Sequence, residues 1–78
     1  MNKRKDIFQL LTDNDIDEIL MLAECNMNKT RAAKRLYCHR NTLVYHMTSL
    51  YKRTGLNPQS FRDLTELVCI VESHVNLK

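Results

Sequence analysis

A single glycine, a single proline and no tryptophan occur in these 78 residues. So few turn formers exclude a low-complexity chain and argue against a meander of short strands, which needs a breaker every few residues. No apolar run approaches the roughly 20 residues that span a bilayer, so no membrane partner is expected. A secretory signal is also lacking, because Met1-Asn2-Lys3-Arg4-Lys5 leads only into Asp6 and a short apolar patch, Ile7 to Leu11. Cys25, Cys38 and Cys69 are odd in number and far apart, which suits reduced thiols in a cytoplasmic protein better than a disulfide framework.

One further absence is local. The chain has nine acids, yet none lies among the 28 residues from Asn28 to Gly55, which hold seven bases: Lys29, Arg31, Lys34, Arg35, Arg40, Lys52 and Arg53. From Asp6 to Met27 the pattern inverts, with six acids and no base. The modest net charge of +3 conceals this division. A block that carries only positive charge suits a polyanionic partner; a solvated basic face is the plain alternative.

What is present in quantity is helical periodicity. The first confident helix spans about Asn14 to Asn26, with Asp13 or Asn14 as its cap and Ile16, Ile19, Leu20, Ala23 and Met27 as its buried stripe. Met21, Leu22 and Cys25 fall off that stripe and read as surplus apolar surface. A second helix follows Asn28, ends near Leu36 or Tyr37 and turns Ala32, Ala33 and Leu36 inward. After a turn at Tyr37, Cys38 and His39, a third runs from Arg40 to Thr54, and Gly55 supplies its left-handed stop. Leu43, Met47, Leu50 and Thr54 form its inner stripe, with Tyr51 beside them as a structural residue. At about 100° per residue, Asn41, Tyr45, Thr48 and Lys52 face the opposite way, flanked by Thr42 and Ser49. Asn57-Pro58 breaks the chain, and Ser60 with Asp63 reads as a capping box. The last helix turns Phe61, Leu64, Leu67, Val68, Val71 and Val75 to one broad face, which Cys69 and Ile70 extend. Residues 6–11 suit a short extra turn of helix. The expected fold is all-α, a small bundle of four to five helices in one domain over residues 1–78.

Two helices joined by a turn of three or four residues, with small residues on the first and polar residues outward on the second, describe a helix-turn-helix, here with its core at about 28–55. In such a pair the first helix crosses the DNA backbone and the second enters the major groove. The candidate DNA-binding residues are therefore Lys29, Thr30, Arg31, His39, Arg40, Asn41, Thr42, Tyr45, Thr48 and Lys52. Asn41 and Tyr45 are placed for base edges, whereas Arg40 and Lys52 are placed for phosphates. Lys3-Arg4-Lys5 reads either as a minor-groove arm or as a solvated terminus.

The stretch NKTRAAKRLYCHRNTLVYHMTSLYKRTGLN, Asn28 to Asn57, resembles the C-terminal helix-turn-helix domain of PucR-type transcriptional regulators. The resemblance lies in Ala32-Ala33, Arg35-Leu36-Tyr37, His39-Arg40-Asn41-Thr42-Leu43, Tyr45, Met47 in place of a leucine, and Thr54-Gly55-Leu56. With the flanking helices it covers roughly Asp15 to Val71. A looser likeness to the Fis-type helix-turn-helix runs from Asn28 to Leu43. The resemblance implies sequence-specific binding of double-stranded DNA in transcription regulation. Val44 and His46 stand where that family usually has arginines. The family usually carries this domain on a larger sensor region, which these residues do not include, so effector binding is not implied.

Other chemistry is poorly supported. His39 and His46 are two helical turns apart, roughly 10 Å, too far to share a metal ion. A Cys–His nucleophile would lack its third, orienting group. The expectation is a non-enzymatic protein without cofactor or small-molecule ligand. Its partners are duplex DNA and a second copy of the chain; the candidate contacts of that homodimer are Leu67, Ile70 and Val71, with Leu22 or the segment Ile7 to Leu11 as further options. The competing reading is a protein–protein interaction module of the same fold, favoured by the two missing arginines and the acidic first third.

Overall fold

Three of the described helices begin at a residue whose side chain accepts from the backbone of the first turn. The computed structural model describes residues 3–75, and the side chains of residues 4–74. It contains five helices among the described residues and no strand: α1 Lys3–Gln9, α2 Asp13–Glu24, α3 Lys29–Arg35, α4 Arg40–Thr54 and α5 Phe61–Val75. The expected all-α class and all four main helices are present, and of the short helical turn expected at residues 6–11 the first four residues fall in α1.

The cap of α2 is Thr12, one or two residues before the expected Asp13 or Asn14. Its hydroxyl accepts from the Asp15 N–H, and the Asp15 carboxylate accepts from the Thr12 N–H, which makes a reciprocal capping box. Asn28 caps α3 by accepting from the Arg31 N–H at 3.0 Å. The expected box at the start of α5 is replaced by a longer tie. Asp63 Oδ2 accepts from the Asn57 N–H at 2.9 Å, while the Ser60 N–H donates to the Asn57 carbonyl. That tie holds the turn around Pro58 rather than Ser60 itself.

α2 sits at the centre of the bundle and packs against α3, α4 and α5, while α1 packs on α5 and α3 on α4. The central position moves the buried stripe of α2. Ile19, Leu22 and Cys25 are core, whereas Ile16, Leu20, Ala23 and Met27 are only partly buried. Leu22 and Cys25 are thus not surplus surface, because a helix covered by several neighbours buries more than one face. Ala32 and Ala33 are fully buried, as expected where α3 approaches its neighbours closely. Leu43, Met47 and Leu50 line the inner side of α4, and Leu64, Leu67 and Val71 that of α5. The side chain of Val75 lies outside the described residues. Tyr51 is 48% exposed, so its ring is not the structural residue that its position suggested.

Candidate nucleic-acid interface

The turn between α3 and α4 is built from backbone hydrogen bonds. The Cys38 N–H donates to the Ala33 carbonyl at 3.0 Å and the Tyr37 N–H to the Lys34 carbonyl at 3.1 Å. This is the Schellman arrangement, which requires a left-handed residue just past the helix end. That residue is Tyr37, at φ 57°, and its side chain is 96% exposed. A β-carbon in this conformation costs about 1–2 kcal/mol. Two residues later His39 caps α4, its Nδ1 accepting from the Asn41 N–H at 3.2 Å. An accepting Nδ1 leaves the ring proton of the neutral imidazole on Nε2.

Beyond this cap the outward side of α4 presents Asn41, Thr42, Tyr45, Thr48 and Lys52, all exposed, with Tyr45 at 72%. The Thr48 hydroxyl donates to the Val44 carbonyl of its own helix at 3.1 Å. His39, Arg40, Thr30 and Arg31 are exposed as well. Lys29 is partly buried, and its Nζ donates to Gln59 Oε1 at 3.0 Å. The ten sequence candidates therefore lie on α3, α4 and the cap between them, with Lys29 the least accessible.

The seven bases of this segment divide by what they touch. Arg53 pairs with Asp15 at 2.9 Å and also donates to the Leu10 carbonyl at 2.7 Å. Arg35 lies 3.7 Å from Glu24. Lys29 is held by Gln59. Arg31, Lys34, Arg40 and Lys52 have no side-chain partner among the described residues.

The acids of α2 supply the other half of these contacts. Asp15 is buried, which by itself would raise its carboxyl pKa. The hydrogen bond from Arg53, the Thr12 donors and the charge of Arg53 outweigh burial and hold the group below its usual range. Glu18 is also buried, and its Oε2 meets His46 Nδ1 at 2.6 Å and Asn14 Nδ2 at 3.2 Å. His46, at one of the two positions where arginine is usual, is thereby directed inward to α2. Val44, at the other, packs against the hydrophobic core. Both departures from the motif face α4's neighbours rather than the centre of its outward side.

Several expectations fail here. Arg4 is not a free arm, because it makes a two-pronged contact with Glu66 of α5 at 2.9 and 3.3 Å while its side chain stays solvent-exposed. Leu22, Leu67, Ile70 and Val71 cannot be dimer contacts, since each is at most 2% exposed within the single chain. Ile7 and Leu11 pack partly against the core. Leu10 of the same segment is 47% exposed, and further apolar surface lies on α5, where Phe61 is 72% exposed. It borders a groove of about 330 Å³ between the end of α2 and α5, lined by Ala23, Met27, Leu64 and Val68 among others. Burial, with the charge of Glu18, pushes the Cys38 thiol up, the opposite of what a nucleophilic cysteine needs. Among the described residues no three His, Cys, Asp or Glu side chains converge as metal ligands, and no helix is long and apolar enough to cross a membrane.

Sequence spacing missed Tyr37 and Lys34 as parts of this surface. The signal for Tyr37 was available in principle, since a tyrosine stands where the helix end calls for glycine or asparagine. The family model of the PucR C-terminal helix-turn-helix domain matches residues 19–72, which is 54 of the 78 residues. No curated protein and no solved structure matches the chain.

Proposed function

The chain belongs to the PucR C-terminal helix-turn-helix family, and from that premise we propose that it binds double-stranded DNA sequence-specifically and regulates transcription. The observation that carries this reading is the set of unpartnered cations Arg31, Lys34, Arg40 and Lys52 around a recognition helix whose outward side has no carboxylate. α3 meets the phosphate backbone through Arg31, Lys34 and Thr30, with Lys29 behind them. α4 enters the major groove with its N-terminus leading, so that His39, Arg40 and Thr42 address the near phosphates. Asn41 and Tyr45 meet base edges, and Asn41 has the paired donor and acceptor that adenine requires. Thr48 follows along the groove and Lys52 reaches its far wall. The role is non-enzymatic and cytoplasmic, and residues 1–78 act as one domain.

The acting form is a homodimer, joined through the Phe61 groove. None of the groove's lining belongs to α3 or α4, so docking there leaves the reading surface free. A two-fold assembly also doubles the number of phosphates and bases engaged. Sedimentation at tens of micromolar returning only monomer rejects the dimer.

The decisive experiment for DNA binding is a mobility-shift titration across salt. Neutralising about four phosphates per subunit gives a log–log slope of roughly −4 for one subunit and about −7 for two. Absence of binding to any duplex at low ionic strength rejects the reading and promotes the protein–protein alternative.

A further inference from the structure

Among the described residues, three helix ends place a residue in the left-handed region, and they are not equivalent. α4 ends on Gly55 at φ 81°, which has no β-carbon to strain. α2 ends on the same Schellman pattern as α3, with the Met27 N–H donating to the Leu22 carbonyl at 2.8 Å and the Asn26 N–H to the Ala23 carbonyl at 3.1 Å. There the left-handed position just past the end is held by Asn26, at φ 54°, one of the few side chains that tolerate it. Met27, the next residue, is left-handed too, at φ 67°, but its side chain is partly buried against the core. Tyr37 is the exception. Its side chain recovers nothing from packing, because it is almost wholly exposed. A bulky ring in a strained position, almost wholly exposed among the described residues, points to a contact outside the molecule.

We infer that Tyr37 binds the sugar–phosphate backbone of DNA, its hydroxyl donating to a phosphate oxygen and its ring lying against the sugar edge. This rests on the duplex-binding reading above. The chemistry of the surroundings selects this ligand over a protein surface. Tyr37 lies between unpartnered Lys34 and Arg40, beside the exposed cap His39, in a segment without a carboxylate. In a helix-turn-helix the first helix crosses the backbone while the second descends into the groove, so the turn between them stands over the phosphate wall.

The test compares Tyr37→Gly and Tyr37→Phe with the unaltered chain, measuring thermal unfolding and binding to a selected and a scrambled duplex. Tyr37→Gly is expected to raise the unfolding midpoint by a few degrees, because the left-handed strain is relieved. The same change is expected to weaken binding about five- to tenfold, the worth of one phosphate contact. The loss should be equal on both duplexes, since backbone contacts carry no sequence information. The salt slope should stay constant, since tyrosine is uncharged. Tyr37→Phe should lose part of the affinity and leave the unfolding midpoint as it was. If Tyr37→Gly binds as tightly as the unaltered chain, the contact does not exist although DNA binding stands. If affinity falls together with the unfolding midpoint, Tyr37 serves the fold and the inference is wrong. If the unaltered chain binds no duplex, both this inference and the reading beneath it fall.

Discussion

α2 and α4 carry opposite charge, and two acids of α2 turn inward to α4 while α4 turns two of its cations outward. Asp15 and Glu18 of α2 point into the bundle and are buried, each meeting a basic side chain of α4, Arg53 and His46. Arg40 and Lys52 of α4 point outward and have no side-chain partner among the described residues. Asp15 and Glu18 therefore hold one flank of α4 and leave the cations of its other flank free, whereas Asp6, Asp13, Asp17 and Glu24 of the same acidic third stay exposed. Read from charge alone, those same acids had favoured a protein–protein role.

The comparison is sharpest where the inner side of α4 is removed altogether. Leu43→Ala empties a fully buried site and should cost about 2–5 kcal/mol of stability, measured by urea denaturation. Little loss would mean that α4 is held chiefly by its polar flank.

Breaking the polar flank comes next. Arg53→Ala should cost about 1.5–3 kcal/mol, because it strands the buried Asp15 and frees the Leu10 carbonyl. The same tie has a pH signature. The folded-state pKa of Asp15 is lowered, so its contribution is present above the unfolded value of about 3.8 and is lost as pH falls below that toward the folded one. Denaturation midpoints in Arg53→Ala should accordingly decline less steeply on acidification than in the unaltered chain. An identical acid limb in both would show that the pair contributes nothing.

The outward side should respond in binding and not in stability. Asn41→Ala should cost about 1–3 kcal/mol on the preferred duplex and much less on scrambled DNA. Lys52→Ala should weaken both duplexes by similar factors and flatten the salt slope by about one unit. If both variants lose affinity in the same sequence-independent way, the outward side of α4 does not read bases.

The smallest effect is expected at Glu24 and Arg35. Both are largely exposed and their separation is 3.7 Å, so Glu24→Ala should change stability by under about 0.5 kcal/mol. A larger loss would extend the comparison, making even the rim of α2 an anchor for the basic segment.

Much of this molecule is legible along the chain. The bounds of α4, its Gly55 stop, the Asn28 cap of α3 and the exposed row Asn41, Tyr45, Thr48 and Lys52 all follow from residues within a turn or two of each other. Those are short-range questions of backbone hydrogen bonding and helical period, and neighbouring side chains answer them. The buried stripe of α2 is different. Leu22 and Cys25 are core because α3, α4 and α5 surround that helix, and no periodicity within thirteen or so residues reports how many neighbours will arrive.

Charge shows the same boundary. Composition establishes that residues 28–55 are basic and free of acids, and that this suits DNA. Which of those bases remain available depends on contacts across 28 residues for His46 and Glu18, and across 43 for Arg53 and the Leu10 carbonyl. Coulombic and hydrogen-bonding partners are chosen by proximity in space, and that proximity exists once the helices have packed. Local chemistry thus specified the helices and their outward faces, while packing selected which charges are spent inside the protein and which are left for a partner.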